Sequence, residues 1–321
     1  MTTSTTTSTP AVPARPARPA RRSRRSDASR IDSNRQRWGY LFVTPFALIF
    51  LTFLVAPLAY AFWMSLHNKT LAAGESFVGL DNYVKAFTDQ IFLGGLQRVA
   101  LYALVMVPVQ IAVALVAALV LDTLATRLSK FSRLMIFVPY AIPGVIGALM
   151  WGFLYSPRFG PANDLFGLFG LDAPEFLAKN MIFASLINIV TWQWAGYYMI
   201  IIYAALRGVD PAIYEAARLD GASGRQIATR IKIPMISSSM VMVVIFSLIG
   251  TLQFFTEPQV LRSVAQGAIP TDYTPNMYAY SLAFSYSQFN YASTIAFALG
   301  AVVFVFSFVF LFFTRKQSGL K

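Results

Sequence analysis

The groups in this sequence that could do chemistry stand on two apolar segments. In the first, Asn188, Thr191, Trp194 and Tyr198 recur at i, i+3, i+6 and i+10, with Tyr197 bordering the same face. At 3.6 residues per turn they fall within roughly a third of a helix circumference. In the second, Ser247, Thr251 and Phe254 recur at i, i+4 and i+7, with Gly250 between them leaving room for close approach. Uncharged amides, hydroxyls and aromatic faces can hydrogen-bond and stack on a neutral, hydroxyl-rich solute. The competing use is structural, because such polar residues also bond to neighbouring membrane helices, and Trp and Tyr anchor at membrane interfaces. Gln110, Gln193 and Gln253 lie off these faces or in a segment without a comparable cluster.

Bond-breaking chemistry has little to work with. The absence of cysteine removes disulfide frameworks, thiolate zinc sites and cysteine nucleophiles, and a single histidine, His67, removes most other metal or Ser-His-Asp designs.

The elements that must position these faces are membrane helices. The 321 residues are 56% hydrophobic and only 12% charged, about half the ~25% of an ordinary soluble domain. Six apolar runs are long enough to cross a bilayer: Tyr40 to Leu66, Val99 to Leu121, Leu134 to Tyr155, Met181 to Leu206, Met235 to Thr256, and Tyr291 to Phe313. None of the Asp, Glu, Lys or Arg residues lies within these runs. The expected fold is therefore an all-α membrane protein with six transmembrane helices. Lys and Arg outside the runs divide 20 to six between alternate sides, which by the positive-inside rule puts both termini in the cytoplasm.

Residues 1–37 hold nine Arg and two Asp, so most of the net charge of +12 is local to this segment. Its Thr/Ser-rich and Pro/Arg-rich composition predicts a disordered cytoplasmic tail, separate from a membrane domain over 38–321. Without aromatic interleaving, its arginines fit an anionic leaflet better than nucleic acid. Ala59-Tyr60-Ala61 mimics a signal cleavage site, but the long apolar stretch before it reads as an uncleaved first helix. Pro45, Pro57, Pro108, Pro139, Pro143, Gly144 and Gly147 predict kinked or broken helices around a cavity. No internal repeat is visible.

Between the fourth and fifth runs lie 28 residues, 207–234, far more than the ~2 to 8 that join two bundle helices. Asp210 and Pro211 read as N-cap and first helical position, and Gly221 as a left-handed stop. Ser223 and Gln226 make a capping box for a second helix whose hydrogen-bond ladder Pro234 breaks. The first helix exposes Glu215 and Arg218 beside small Ala216 and Ala217. It could dock in a partner's groove or lie on the membrane surface, and periodicity leaves both open.

The string Glu215-Ala216-Ala217, three residues, Gly221, nine residues, then Ile231-Lys232-Ile233-Pro234 resembles the EAA loop of ABC importer permeases, EAA-x3-G-x9-I-x-[LI]-P. From about residue 38 onward the chain is similar to the carbohydrate branch of that family, the MalF-like or LacF-like permeases. The segments that carry this are WGYLFVTPFALIFLTFLVAPLAYAFWMSL, VGLDNYVKAF, VPYAIPGVIGALMWGFLYSPRFGPANDLFGLFGL and YAYSLAFSYSQFNYASTIAFAL. After the fifth run this branch often has LTxGGP, whereas this chain reads EPQVLRSVAQGAIP.

The resemblance implies a MetI-like permease core. It assigns Glu215, Ala216, Ala217, Gly221, Ile231 and Pro234 to coupling with an ATPase subunit, and sugar-contacting residues to the fourth and fifth spans. It further implies a second homologous permease, two ATPase subunits carrying ATP and magnesium, and an extracytoplasmic solute-binding protein, all at a bacterial plasma membrane. The chain itself has no G-x4-G-K-[ST] phosphate loop, so it is expected to be a transport subunit, binding no cofactor, and not an enzyme. A proton- or sodium-coupled transporter would need ionisable groups in its spans, which these runs lack. A channel would leave the EAA loop without a purpose. Among ABC solutes, a glycerol phosphate would favour arginines in the cavity; their absence from the runs points to a neutral sugar or oligosaccharide over glycerol phosphate or an amino acid.

Overall fold

A computed structural model describes residues 39–70, 74–123 and 126–314; the expectations for the basic tail lie outside them. The chain forms two compact units, one ending at Ala59 and the other beginning at Tyr60.

The first unit is helical from Gly39 and belongs to the apolar helix α1 (Gly39–Ser65), with a π turn at Leu51–Val55. The turn stands just before Pro57. Proline cannot donate and crowds the carbonyl four residues back, and a widened turn relieves both problems without ending the helix.

In the second unit a two-stranded antiparallel hairpin, β1 (His67–Thr70) and β2 (Gly74–Phe77), pairs His67 with Phe77. This hairpin is an addition to the all-helical expectation. The last carbonyls of α1 have no partners within the helix, and side chains supply them. Asn82 donates to Ser65 O (3.0 Å), Thr294 to the same oxygen (3.1 Å) and Asn290 to Met64 O (3.1 Å).

After α2 (Asp81–Thr88) comes α3 (Gln90–Thr123), whose 34 residues absorb Pro108 and extend the predicted span at its start. The third predicted span, by contrast, is two helices. α4 (Thr126–Ala141) and α5 (Gly144–Leu154) are bent by 96° at the break. Pro143 disfavours helical backbone at the residue before it and is itself extended, with ψ 134°. A short α6 (Pro161–Gly167) leads to α7 (Ile182–Arg207), which packs against α3. Gly196 is where α7 meets α4: a Cβ there would lie 2.1 Å from Ile136 O.

The loop over 207–234 has the predicted form. α8 (Pro211–Leu219) is followed by α9 (Gly224–Ile227), a π turn at Ala228–Lys232 and α10 (Ile233–Met235). Pro234 does not break the ladder outright; a π turn again precedes the proline, at the same spacing as before Pro57. The fifth span is interrupted instead, with α11 (Ser237–Leu252) separated from α12 (Thr256–Leu261) by Gln253–Phe255. α13 (Pro275–Phe284) and α14 (Phe289–Thr314) are the last of the described helices.

Asp89 ties three of these elements. One carboxylate oxygen accepts from the Ile91 N–H at the start of α3 (2.9 Å), the other from the Tyr278 and Tyr291 hydroxyls (2.7 and 2.9 Å). Burial alone would raise this carboxyl, but its hydrogen bonds outweigh that and hold it below the ordinary carboxylate value. A carboxylate depressed in the folded state contributes stability above its unfolded value, and loses it as pH falls through the folded one. The detergent-solubilised chain is therefore expected to lose thermal stability on acidification below about pH 4, and Asp89→Asn to remove part of that dependence. An identical acid limb in the variant would show that Asp89 contributes none of it.

Candidate functional site

A cavity of about 510 Å³ lies among α3, α4, α7, α11 and the break after α11. Helix spacing brings Val190, Trp194, Tyr197 and Tyr198 of α7 to one wall, facing Phe246, Ser247, Gly250 and Thr251 of α11. Aromatic rings dominate the first wall. Tyr140 of α4 stacks on Tyr197 with centroids 4.7 Å apart and meets Trp194 edge-on at 5.3 Å, while Trp194 stacks with Tyr198 at 6.1 Å.

The opposite wall is a hydrogen-bonded seam. Ser247 donates to Gln110 Oε1 of α3 (2.5 Å), and Thr251 donates to the Ser247 carbonyl (2.8 Å). Because Gln110 is buried, Ser247→Ala should strand its carbonyl oxygen and cost about 1–3 kcal/mol. Removing both partners, as Ser247→Ala with Gln110→Leu, should cost less than the two changes added. A strictly additive double-mutant cycle in thermal unfolding would mean the bond contributes nothing.

Six of the eight pathway candidates line this cavity: Trp194, Tyr197, Tyr198, Ser247, Thr251 and Phe254. Asn188 and Thr191 do not. Six residues of helix carry Asn188 roughly 120° around α7 from Trp194; it is exposed and donates to the Tyr155 hydroxyl (2.7 Å). Thr191 is buried, its hydroxyl without a hydrogen-bond partner among the described residues. Phe254 reaches the cavity from the break and not from a helical face. Gly250 does not serve close packing, since a Cβ there would find nothing within 4 Å.

Sequence reasoning set aside Gln110 and Gln253, yet both line the cavity. Their signal was weak because the segment of Gln110 has no comparable cluster and Gln253 lies off the helical face of Ser247, Thr251 and Phe254. Gln193 does not line it; its amide donates to Ile142 O (3.2 Å) and so holds the bend between α4 and α5. Glu257 is also on the lining, 8% exposed. It lies one residue past the predicted fifth span but inside the apolar segment Ser237–Leu261. The expectation of spans free of ionisable groups is corrected there. Among the described residues, neither Lys nor Arg lines the cavity.

At the 207–234 loop the capping and glycine-stop signals have their geometry. Asp210 accepts from the Ala212 N–H (2.9 Å), and Ser223 and Gln226 form both bonds of a capping box (2.7 and 3.3 Å). Gly221 takes φ +81°. Its N–H donates to Arg218 O (3.0 Å) and that of Ala222 to Ala217 O (2.9 Å), the paired bonds of a Schellman stop. Glu215 and Ala216 are exposed, Ala217 and Ile231 half-buried, and Pro234 exposed.

Residues 110–318 match the family described as binding-protein-dependent transport system inner membrane component. The lactose transport system permease protein LacF of Rhizobium radiobacter is 30% identical over 282 residues, covering 87% of this chain and 94% of that protein. The diacetylchitobiose uptake system permease protein NgcF of Streptomyces coelicolor is 30% identical over 284 residues, 84% of this chain and 80% of its own. A bacterial ABC transporter involved in the import of the acidic polysaccharide alginate has a chain of the same fold, with TM-score 0.79 at 23% identity over 89% of this chain and 97% of that one. With a match over most of its length, several apolar spans and relatives that are transport subunits, the chain belongs to the binding-protein-dependent inner-membrane permeases of ABC importers.

Proposed function

We propose that this chain is one of two permeases in an ABC importer that moves a neutral sugar or oligosaccharide into the cytoplasm by alternating access. The observation that carries the reading is the cavity. Its Tyr140 and Tyr197 rings, stacked on each other, and the Trp194 ring set edge-on to them offer flat apolar faces, and Gln110, Ser247, Thr251 and Gln253 offer uncharged hydrogen-bonding groups. Such a lining suits the apolar faces and hydroxyls of a sugar ring. A phosphorylated solute would need a cation, and none of the described residues that line the cavity is Lys or Arg. Relatives named for lactose and diacetylchitobiose uptake agree with this class.

Energy would enter through α8. Its exposed Glu215 and Ala216 make it a protruding helix with a small-residue surface, fitted to a groove on an ATPase subunit. That partner, in two copies, would hold ATP and magnesium, and a second homologous permease would complete the pore. An extracytoplasmic binding protein would deliver the solute, as a periplasmic protein bound to alginate pentasaccharide accompanies the similar alginate transporter. The charge bias of the loops supports cytoplasmic termini, with α8 on the same side.

The test is reconstitution of the chain with its second permease, ATPase and binding protein, followed by ATP hydrolysis against mono- and oligosaccharides. Stimulation by one liganded binding protein is the expected result. Hydrolysis indifferent to every sugar would end the carbohydrate assignment, and a chain with which no ATPase associates would end the coupling reading.

A further inference from the structure

The carboxylate of Asp122, on the last turn of α3, pairs with the ammonium of Lys232 at the end of the second π turn. Both side chains are nearly enclosed, at 8% and 10% exposure. Lys232 Nζ also sits over the Tyr214 ring, 4.9 Å from its centroid. Tyr214 and Ala217 are the two residues of α8 turned inward, and every other residue of that helix is exposed. The Tyr214 hydroxyl is buried without a hydrogen-bond partner among the described residues.

A buried ion pair is a poor device for stability alone. Desolvating both charges costs several kcal/mol per ion, and apolar residues of similar volume often serve as well. What such a pair supplies is a fixed mutual geometry. Here it joins segments 110 residues apart in sequence, with an aromatic ring from α8 resting on the cation. Lys232 occupies a variable position of the EAA pattern, between Ile231 and Pro234.

The far side of the link leads to the cavity. Asp122 stands 12 residues along α3 from Gln110, about 18 Å at 1.5 Å per residue. Gln110 holds Ser247 of α11 across the cavity wall. A displacement of α8 would press Tyr214 on Lys232, Lys232 would draw Asp122, and α3 would carry the movement to that seam as a rigid rod.

We propose that Asp122, Lys232 and Tyr214 form the joint that transmits movement of α8 to α3 and hence to the cavity, Asp122 and Lys232 acting as positioning residues. The inference rests on the reading of α8 as the helix that meets the ATPase.

The chain has no cysteine, so one engineered thiol reports the cavity cleanly. In the full reconstituted complex, Phe246→Cys on the lining is labelled with a water-soluble maleimide, without nucleotide and with magnesium, ADP and vanadate trapped on the ATPase after hydrolysis of ATP. Labelling of this chain is expected to differ between the two states by about fivefold or more. Asp122→Asn or Lys232→Met should bring the ratio close to one while ATP hydrolysis continues. The exchanged pair, Asp122→Lys with Lys232→Asp, should recover most of the difference, and Tyr214→Ala should weaken it.

Retention of the full ratio in both single variants overturns the joint. So does a loss of assembly in the singles that the exchanged pair corrects without restoring the nucleotide response, because the pair is then only a folding contact. A parent complex that hydrolyses ATP but shows no labelling response strikes the reading of α8 itself, and the joint falls with it.

Discussion

Gly196→Val is expected to leave little folded protein in the membrane, and Gly196→Ala to assemble poorly and melt early. A Cβ at this position would stand 2.1 Å from the Ile136 carbonyl oxygen, 2.8 Å from its carbon and 2.9 Å from Phe137 Cα. All three are backbone atoms of α4, so no rotamer change clears the space. The helices would have to separate, and overpacking of this kind costs about 1–3 kcal/mol, more for a branched side chain. Function should suffer beyond stability, because Tyr140 on the same arm of the bent pair stacks on Tyr197 and meets Trp194. Thermal melting in detergent and the yield of assembled complex measure the effect. Gly94→Ala is the control, since a Cβ there meets nothing within 4 Å. Equal melting of the Gly196→Ala and Gly94→Ala chains would show that the α4–α7 contact is looser than its geometry says.

That glycine was not marked by the sequence, and the reason is general. Signals confined to a few consecutive residues were legible: Asp210 with Pro211, the left-handed Gly221, and the Ser223–Gln226 box all depend on bonds no more than five residues apart. The apolar spans were legible because the bilayer imposes composition over a fixed length. Contacts between distant segments left no comparable trace. Gln110 meets Ser247 across 137 residues, Asp89 meets Tyr278 and Tyr291 across 189 and 202, and each member alone is a polar residue with several ordinary uses. Hydropathy likewise registers that 134–155 is apolar but not that it turns by 96°, since composition carries no direction. Pro143 and Gly144 gave warning of the break without its angle. Asn188 failed for a related reason: steps of three drift backwards around a 3.6-residue helix, so a run chosen by spacing walked off the face that the fold uses.

Gly221→Val should behave in the opposite manner to Gly196→Val, sparing the fold and removing coupled transport. A Cβ on Gly221 meets nothing within 4 Å, so there is no clash to relieve. The cost lies in the backbone, where φ +81° is strained for an L side chain by roughly 1–2 kcal/mol, most of all for a β-branched one. The chain can escape that strain by giving up the two bonds from Gly221 and Ala222 to Arg218 O and Ala217 O. The last turn of α8 then unwinds and re-aims the surface that carries Glu215 and Ala216. Because α8 is exposed on nearly every face, little packing is lost with it, and melting of the membrane helices should barely move. Sugar uptake per ATP in the reconstituted complex should fall by about tenfold or more, the equivalent of ~1.4 kcal/mol in coupling. Gly221→Asn supplies the discriminating case, because asparagine tolerates the left-handed region and should retain much of the activity. If asparagine and valine fail alike, the requirement at this position is the absence of a side chain against the partner; if asparagine works and valine fails, it is the left-handed turn that aims the helix.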